Sequence, residues 1–131
     1  MAHVYPGYPQ RWRAGVMRGI VGRRSTSMPT VVGVLTAEER QEVEEVVLRY
    51  IATRSRDFPK LRASGEVPLD LLARGALEHP VGKYRWRCID LLDHLGDASA
   101  DAIFRTALND PLPRVRRHAQ HALDCMKCRP R

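Results

Sequence analysis

The sequence predicts an all-α fold: a short α-solenoid of helical hairpins, preceded by one extra helix and a disordered N-terminal arm. Three observations predict it. The second half of the 131-residue chain overlays on itself when shifted by 31 positions, so that Leu72 meets Ile103 and Arg85 meets Arg116, and a fixed period of that size marks stacked helix pairs. A strong helix start stands at Thr36. Only two Phe, four Tyr and two Trp are present, so aliphatic and Ala side chains must build the core, which suits thin helical layers better than a β-sandwich.

The bulk properties set the frame for these elements. A chain of 131 residues fits one domain with a modest core. No apolar stretch approaches the ~18 residues needed to cross a bilayer, so no membrane partner is expected. The three cysteines are an odd number, and no hydrophobic signal core precedes them. A disulfide framework is therefore not expected, and the reducing cytoplasm is the expected location.

The net charge of +7 suggests nucleic acid until it is located. Residues 1–27 hold Arg11, Arg13, Arg18, Arg23 and Arg24 and no acidic residue, which is +5. Residues 28–131 carry 17 basic and 15 acidic side chains, which is +2. Most of the excess belongs to the leading arm and little of it to the part expected to fold.

That arm, residues 1–34, contains Gly7, Gly15, Gly19, Gly22 and Gly33 with Pro6, Pro9 and Pro29. Gly and Pro recur too often for a stable element, so disorder is expected. Its Arg-rich, acid-free composition is that of an organelle transit peptide, but Gly and Pro spoil the amphipathic helix such a peptide needs. A phosphate-gripping arm could use Trp12, Tyr5 and Tyr8 to stack. The pair Arg23-Arg24 is followed by no apolar stretch of the length a twin-arginine signal requires. The plainest expectation is that Met28, where the composition changes, is the true start.

From residue 35 to 131 a helical domain is expected. Thr36 is a good N-cap, and Glu39 three residues on completes a capping box. Acidic residues follow in the first turns and Arg49, Arg54 and Arg56 toward the end, as the helix dipole favours. Val43, Val46, Val47, Tyr50 and Ile51 fall on one face at 3.6-residue spacing. A helix over about 37–55 is predicted, stopping before Pro59, with a linker around 57–66.

Two repeated units follow, at about 67–97 and 98–128. Ala76-Leu77-Glu78-His79-Pro80 lies on Ala107-Leu108-Asn109-Asp110-Pro111, and Arg74 lies on Arg105. The first helix of each unit should end at its Pro80 or Pro111 turn. The second helix presents the stripe Tyr84, Cys88, Leu91, Leu92 and Leu95, matched by Val115, Ala119, Ala122, Leu123 and Met126. Gly96 is predicted to be a left-handed C-cap.

The stretch Asn109-Asp110-Pro111-Leu112-Pro113-Arg114-Val115-Arg116-Arg117-His118-Ala119-Gln120-His121-Ala122-Leu123 resembles the core of a HEAT repeat, specifically the short kind also found in phycobilisome-lyase-like proteins. That resemblance implies an inter-repeat polar ladder through Asp110 and Arg116, with Arg85 as the equivalent in the first unit. The first unit departs from the family pattern: His79 stands for the Asp and Tyr84 for the Val, so its ladder is expected to be weaker or pH-sensitive. The resemblance further implies a surface displayed to other macromolecules. Two units are fewer than a solenoid normally needs. The first helix is expected to cap one side, and the C-terminal open edge to meet another protein or a second copy.

His118, His121, Cys125 and Cys128 are all metal-ligand types on one helical stripe, but they span about 15 Å along the axis. That is too long for one tetrahedral zinc while the helix is intact, so no metal is favoured and no cofactor is expected. Cys125 and Cys128 could chelate only if the last turn unwinds and two further ligands come from elsewhere, as from a second copy. Cys125-Met126-Lys127-Cys128 falls at a helix C-terminus, where the dipole opposes the thiolate a redox motif needs. Cys88 aligns with Ala119 and reads as a small core residue. No Gly-rich phosphate loop, His-Glu-x-x-His or Gly-x-Ser-x-Gly is present. Asp90, Asp93 and Asp97, with His94 among them, read as a solvated acidic face.

The basic residues Lys83, Arg87, Arg114 and Arg117, near Trp86, open the second helix of each unit and form a candidate phosphate-binding strip. The expected function is a non-catalytic protein–protein adaptor or scaffold. The alternatives are a nucleic-acid-binding module using that strip and, by family resemblance only, a lyase-like accessory protein.

Overall fold

A computed structural model describes residues 35–125, which form six α-helices and no strand. The arm at 1–34 lies outside the described residues. So do Met28, the aromatic residues Tyr5, Tyr8 and Trp12, and the segment 126–131 with Met126 and Cys128.

Helix α1, Ala37–Tyr50, begins as its capping box dictates. The Thr36 hydroxyl accepts from the Glu39 N–H at 3.1 Å, and the Thr36 N–H donates to the Glu39 carboxylate at 2.9 Å. Val43, Val46 and Val47 are buried on its inner face. The helix stops at Tyr50, five residues short of the predicted end.

The predicted linker at 57–66 is instead structured. A 3-10 turn, Ser55–Asp57, leads into α2, Phe58–Ser64. Pro59 opens this helix; at the first turn a proline has no intrahelical N–H bond to lose, and its fixed φ suits the start. Gly65, with φ 69°, ends it in the left-handed conformation. Burial of Phe58 secures the short helix. Its ring stacks on His94 at 4.3 Å, and the Arg62 guanidinium donates to the His94 carbonyl.

Helices α3, Leu69–Glu78, and α4, Gly82–Leu95, form the first pair. Helices α5, Asp101–Ala107, and α6, Pro113–Asp124, form the second. Within each pair the two helices pack together; between pairs α3 meets α5 and α4 meets α6. Helix α1 packs on α3 and α4, and α2 on α4. The second helices start at Gly82 and Pro113, in the 31-residue register of the sequence.

The core forms where these faces converge. Leu72, Cys88, Ile89, Leu92, Phe104, Val115, Ala119 and Ala122 are fully buried. From the predicted stripes, Leu91 and Leu95 are also buried, whereas Tyr84 and Leu123 are half-buried at the margin. The predicted cap at Gly96 takes a different form. Its backbone is extended, with φ −79° and ψ −169°, and its N–H bonds the Leu92 carbonyl at 2.9 Å. The chain runs on to Asp97, whose carboxylate accepts from the Ser99 N–H at 2.9 Å and starts the 3-10 turn Ala98–Ala100. An acidic cap for the next element replaces the glycine cap for the last.

Gly75 marks the closest approach of three helices. A Cβ there would lie 2.9 Å from Val43 Cγ1 and 3.0 Å from Cys88 Sγ, both in side chains with no exposed surface. Gly75→Ala gains about 1 kcal/mol of helix propensity but overpacks the crossing by about 1–3 kcal/mol. Urea denaturation is expected to show net destabilisation, relieved when Val43→Ala is added. A more stable single variant would mean that α1 can move off α3.

Candidate functional site on the α4 and α6 face

Each turn between paired helices is held by an arginine one turn into the following helix. Arg85 Nη1 donates to the His79 carbonyl at 2.9 Å and the Pro80 carbonyl at 3.3 Å. Arg116 Nη1 does the same with Asp110 at 2.7 Å and Pro111 at 3.1 Å. Arg85 also reaches across to the second pair. Its Nε and Nη2 donate to the two Asp110 carboxylate oxygens at 2.8 and 3.1 Å, a bidentate geometry that a lysine could not make. The two side chains are only 14% and 8% exposed. Asp110 additionally accepts from the Leu112 N–H at 2.8 Å.

The tie between pairs thus runs from Arg85 to Asp110, while Arg116 bonds the carbonyls of its own turn. Among the described residues no carboxylate pairs with Arg116 as Asp110 pairs with Arg85. At the matching place in the first pair, His79 is buried and its Nε2 lies 2.9 Å from a Glu44 carboxylate oxygen of α1. Its Nδ1 accepts from the Val81 N–H at 3.0 Å, which places the proton on Nε2. The departure at His79 is therefore matched by a partner in α1.

Helices α4 and α6 present their cations around one aromatic ring. Trp86 stacks on His118 at 4.6 Å, with planes 13° apart. The guanidinium carbons of Arg114 and Arg87 lie 4.0 and 4.7 Å from the Trp86 ring centre, within cation–π range. Asp90, Arg114, Arg117, His118 and His121 line an open hollow of about 510 Å³. Lys83 stands apart, over Tyr84 at 5.5 Å. Burial pushes the His118 imidazole below its ordinary pKa, and Arg114, His121 and Arg117 push the same way against the opposing pull of Asp90. The shift disfavours charge on the His118 ring, and Arg114 and Arg117 carry fixed positive charge in the hollow.

The metal-ligand stripe divides. His118 is taken up by Trp86, and Cys128 lies outside the described residues. His121 and Cys125 come together, joined by Asp93 from α4: the three ligand atoms lie within 4.8 Å of one another. Asp93 is 1% exposed, so the solvated acidic face expected of Asp90, Asp93 and Asp97 is not what forms. Asp90 is exposed, 3.9 Å from His94, and Asp97 caps a turn. The spacing did carry a signal, because Asp93 is four residues beyond Ile89, on the stripe that faces inward. Cys88 is a core residue, and burial pushes its thiol far above the ordinary range.

Comparison with protein-family models, with curated proteins and with solved structures finds no match for this chain. Among the described residues no helix is long and apolar enough to cross a membrane.

Proposed function

We propose that this chain is a non-catalytic helical-repeat module of the HEAT type, an adaptor that docks another protein through the edge of the second helix pair. The observation that carries the reading is the equivalence of Arg85 and Arg116. Both bond the two carbonyls of the preceding turn, and Arg85 uses the rest of its fork to hold a carboxylate of the next pair. Arg116 is exposed and offers the same fork to a carboxylate-bearing turn of a partner. Residues 28–131 carry 17 basic and 15 acidic side chains, only +2 of the chain's +7, and over that part the balance suits a protein partner better than a polyanion.

The test is affinity capture from host lysate by the tagged full chain, with and without nuclease, followed by identification of what is retained. A protein that survives nuclease and binds about 30-fold more weakly to Arg116→Glu, roughly 2 kcal/mol, supports the adaptor. Retention that ignores Arg116→Glu sinks it.

A second reading rests on Arg87 and Arg114 over the Trp86 ring and on Arg114 and Arg117 lining the neighbouring hollow. Because the Trp86 ring already carries His118 and two guanidiniums, the face would hold phosphates and not stack bases. Binding would be independent of base sequence, and log K would fall by about 0.9 per phosphate neutralised for each tenfold rise in salt concentration. Material lost on nuclease treatment and on Arg114→Glu with Arg117→Glu would move the assignment to this reading. A lyase-like accessory role gains no support from the described geometry.

A further inference from the structure

We propose that Asp93, His121 and Cys125 form a three-ligand site for a divalent zinc-type cation, with one coordination position left open. The site lies where the last turns of α4 and α6 meet. Asp93 supplies a carboxylate oxygen from the buried side of α4. His121 and Cys125 come from successive turns at the end of α6, tied by the Cys125 N–H to the His121 carbonyl at 2.9 Å. His121 Nε2 lies 3.8 Å from Asp93 Oδ2, and all three donor atoms fall within 4.8 Å of one another.

Those separations suit a tetrahedral ion. Zinc binds nitrogen and oxygen at about 2.0–2.2 Å and sulfur at about 2.3 Å, which places neighbouring donors about 3.3–3.7 Å apart. The His121–Asp93 edge is already within a few tenths of an ångström of that range. The remaining closure falls on His121, whose side chain is 68% exposed, and on Cys125, where the backbone has left the helix with ψ 117°. Both can adjust without disturbing the core, whereas the buried Asp93 gives the site a fixed point.

The donor set selects the ion. A thiolate with an imidazole and one carboxylate favours zinc or cobalt over magnesium or calcium, which take oxygen shells. Three protein ligands leave a fourth position for water or a partner's donor. The opening lies on the exposed His121 side, beside the hollow lined by Arg114 and Arg117. An ion there would present an anion-binding Lewis acid next to guanidiniums, a consequence that does not depend on the adaptor reading.

The experiment is a cobalt titration of the reduced, metal-free full chain, followed by displacement with zinc. One Co²⁺ per chain is expected, with the visible bands of tetrahedral cobalt and a near-ultraviolet thiolate-to-cobalt band. Asp93→Asn, His121→Ala and Cys125→Ser should each weaken binding by more than about tenfold, since even an outer-shell partner of a metal ligand is worth that much. Cys125→Ser should also remove the thiolate band. Far-ultraviolet circular dichroism checks that the variants remain folded, and His121→Ala alters a surface side chain, so at least one probe stays interpretable. Cys128→Ser should leave the spectrum intact. Absence of a stoichiometric cobalt spectrum overturns the proposal. So does a site that survives Asp93→Asn but is lost in Cys128→Ser, which would belong to a different ligand set.

Discussion

Arg74→Ala is expected to destabilise the fold by about 3–5 kcal/mol, the range for removing one partner of a buried ion pair. Arg74 is 2% exposed in the middle of α3, and its Nη1 donates to Glu39 of α1 at 2.7 Å. The substitution removes this ion pair between the helices and opens a cavity the size of most of an arginine side chain. Arg74→Met keeps much of the volume and should cost roughly half as much. Chemical denaturation of the three proteins separates the two contributions. If Ala and Met are equally damaging, the charge dominates; if neither matters, Arg74 does not hold α1 to the first pair.

The same pair sets a pH dependence. Burial tends to raise the Glu39 pKa, but the Thr36 N–H and then the Arg74 charge outweigh it and hold the carboxyl below its ordinary value. A group depressed on folding contributes stability that is complete above its unfolded pKa, about 4.3 for Glu. That contribution is lost as the pH falls through the lower folded value. Acid titration should therefore loosen α1 below about pH 4, and Arg74→Met should shift the loss to higher pH because two depressing influences, the Arg74 charge and its hydrogen bond, are gone.

The second large effect is expected at the tie between the two helix pairs. Arg85→Ala removes two charge-assisted bonds to Asp110 and two bonds to turn carbonyls, and leaves a carboxylate that is 8% exposed. A loss of about 3 kcal/mol is expected. In a double-mutant cycle with Asp110→Ala the coupling should reach about 2 kcal/mol, toward the upper end for directly bonded residues. Hydrogen exchange should accelerate in α5 and α6 more than in α1, since the second pair is what the bond secures. Additive single effects would mean that the packing of α3 on α5 and of α4 on α6 joins the pairs without this tie.

Much of the architecture was written locally. The Thr36 and Glu39 capping box, the turns at Pro80 and Pro111, and the apolar spacing of α4 and α6 are signals within a few residues of one another. The 31-residue register also placed Arg85 and Asp110 as counterparts of Arg116 and His79.

What the register could not determine was direction, and Arg116 turned out to hold its own turn while Arg85 crossed to Asp110. Helix α2 was missed because Pro59 reads as a stop unless a buried Phe58 makes it a start. Gly96 was taken for a left-handed cap because nothing local shows that Asp97 will cap the next turn. The cluster of Asp93, His121 and Cys125 escaped for a deeper reason. Its members lie on two helices whose relative placement depends on core packing, and distance along the chain carries no record of it. Sequence by itself determined the start of α1, the apolar faces of α4 and α6 and the register of the Pro80 and Pro111 turns. Only the tertiary structure decided which charged and ligand-bearing side chains meet, because those meetings are set by how whole helices pack.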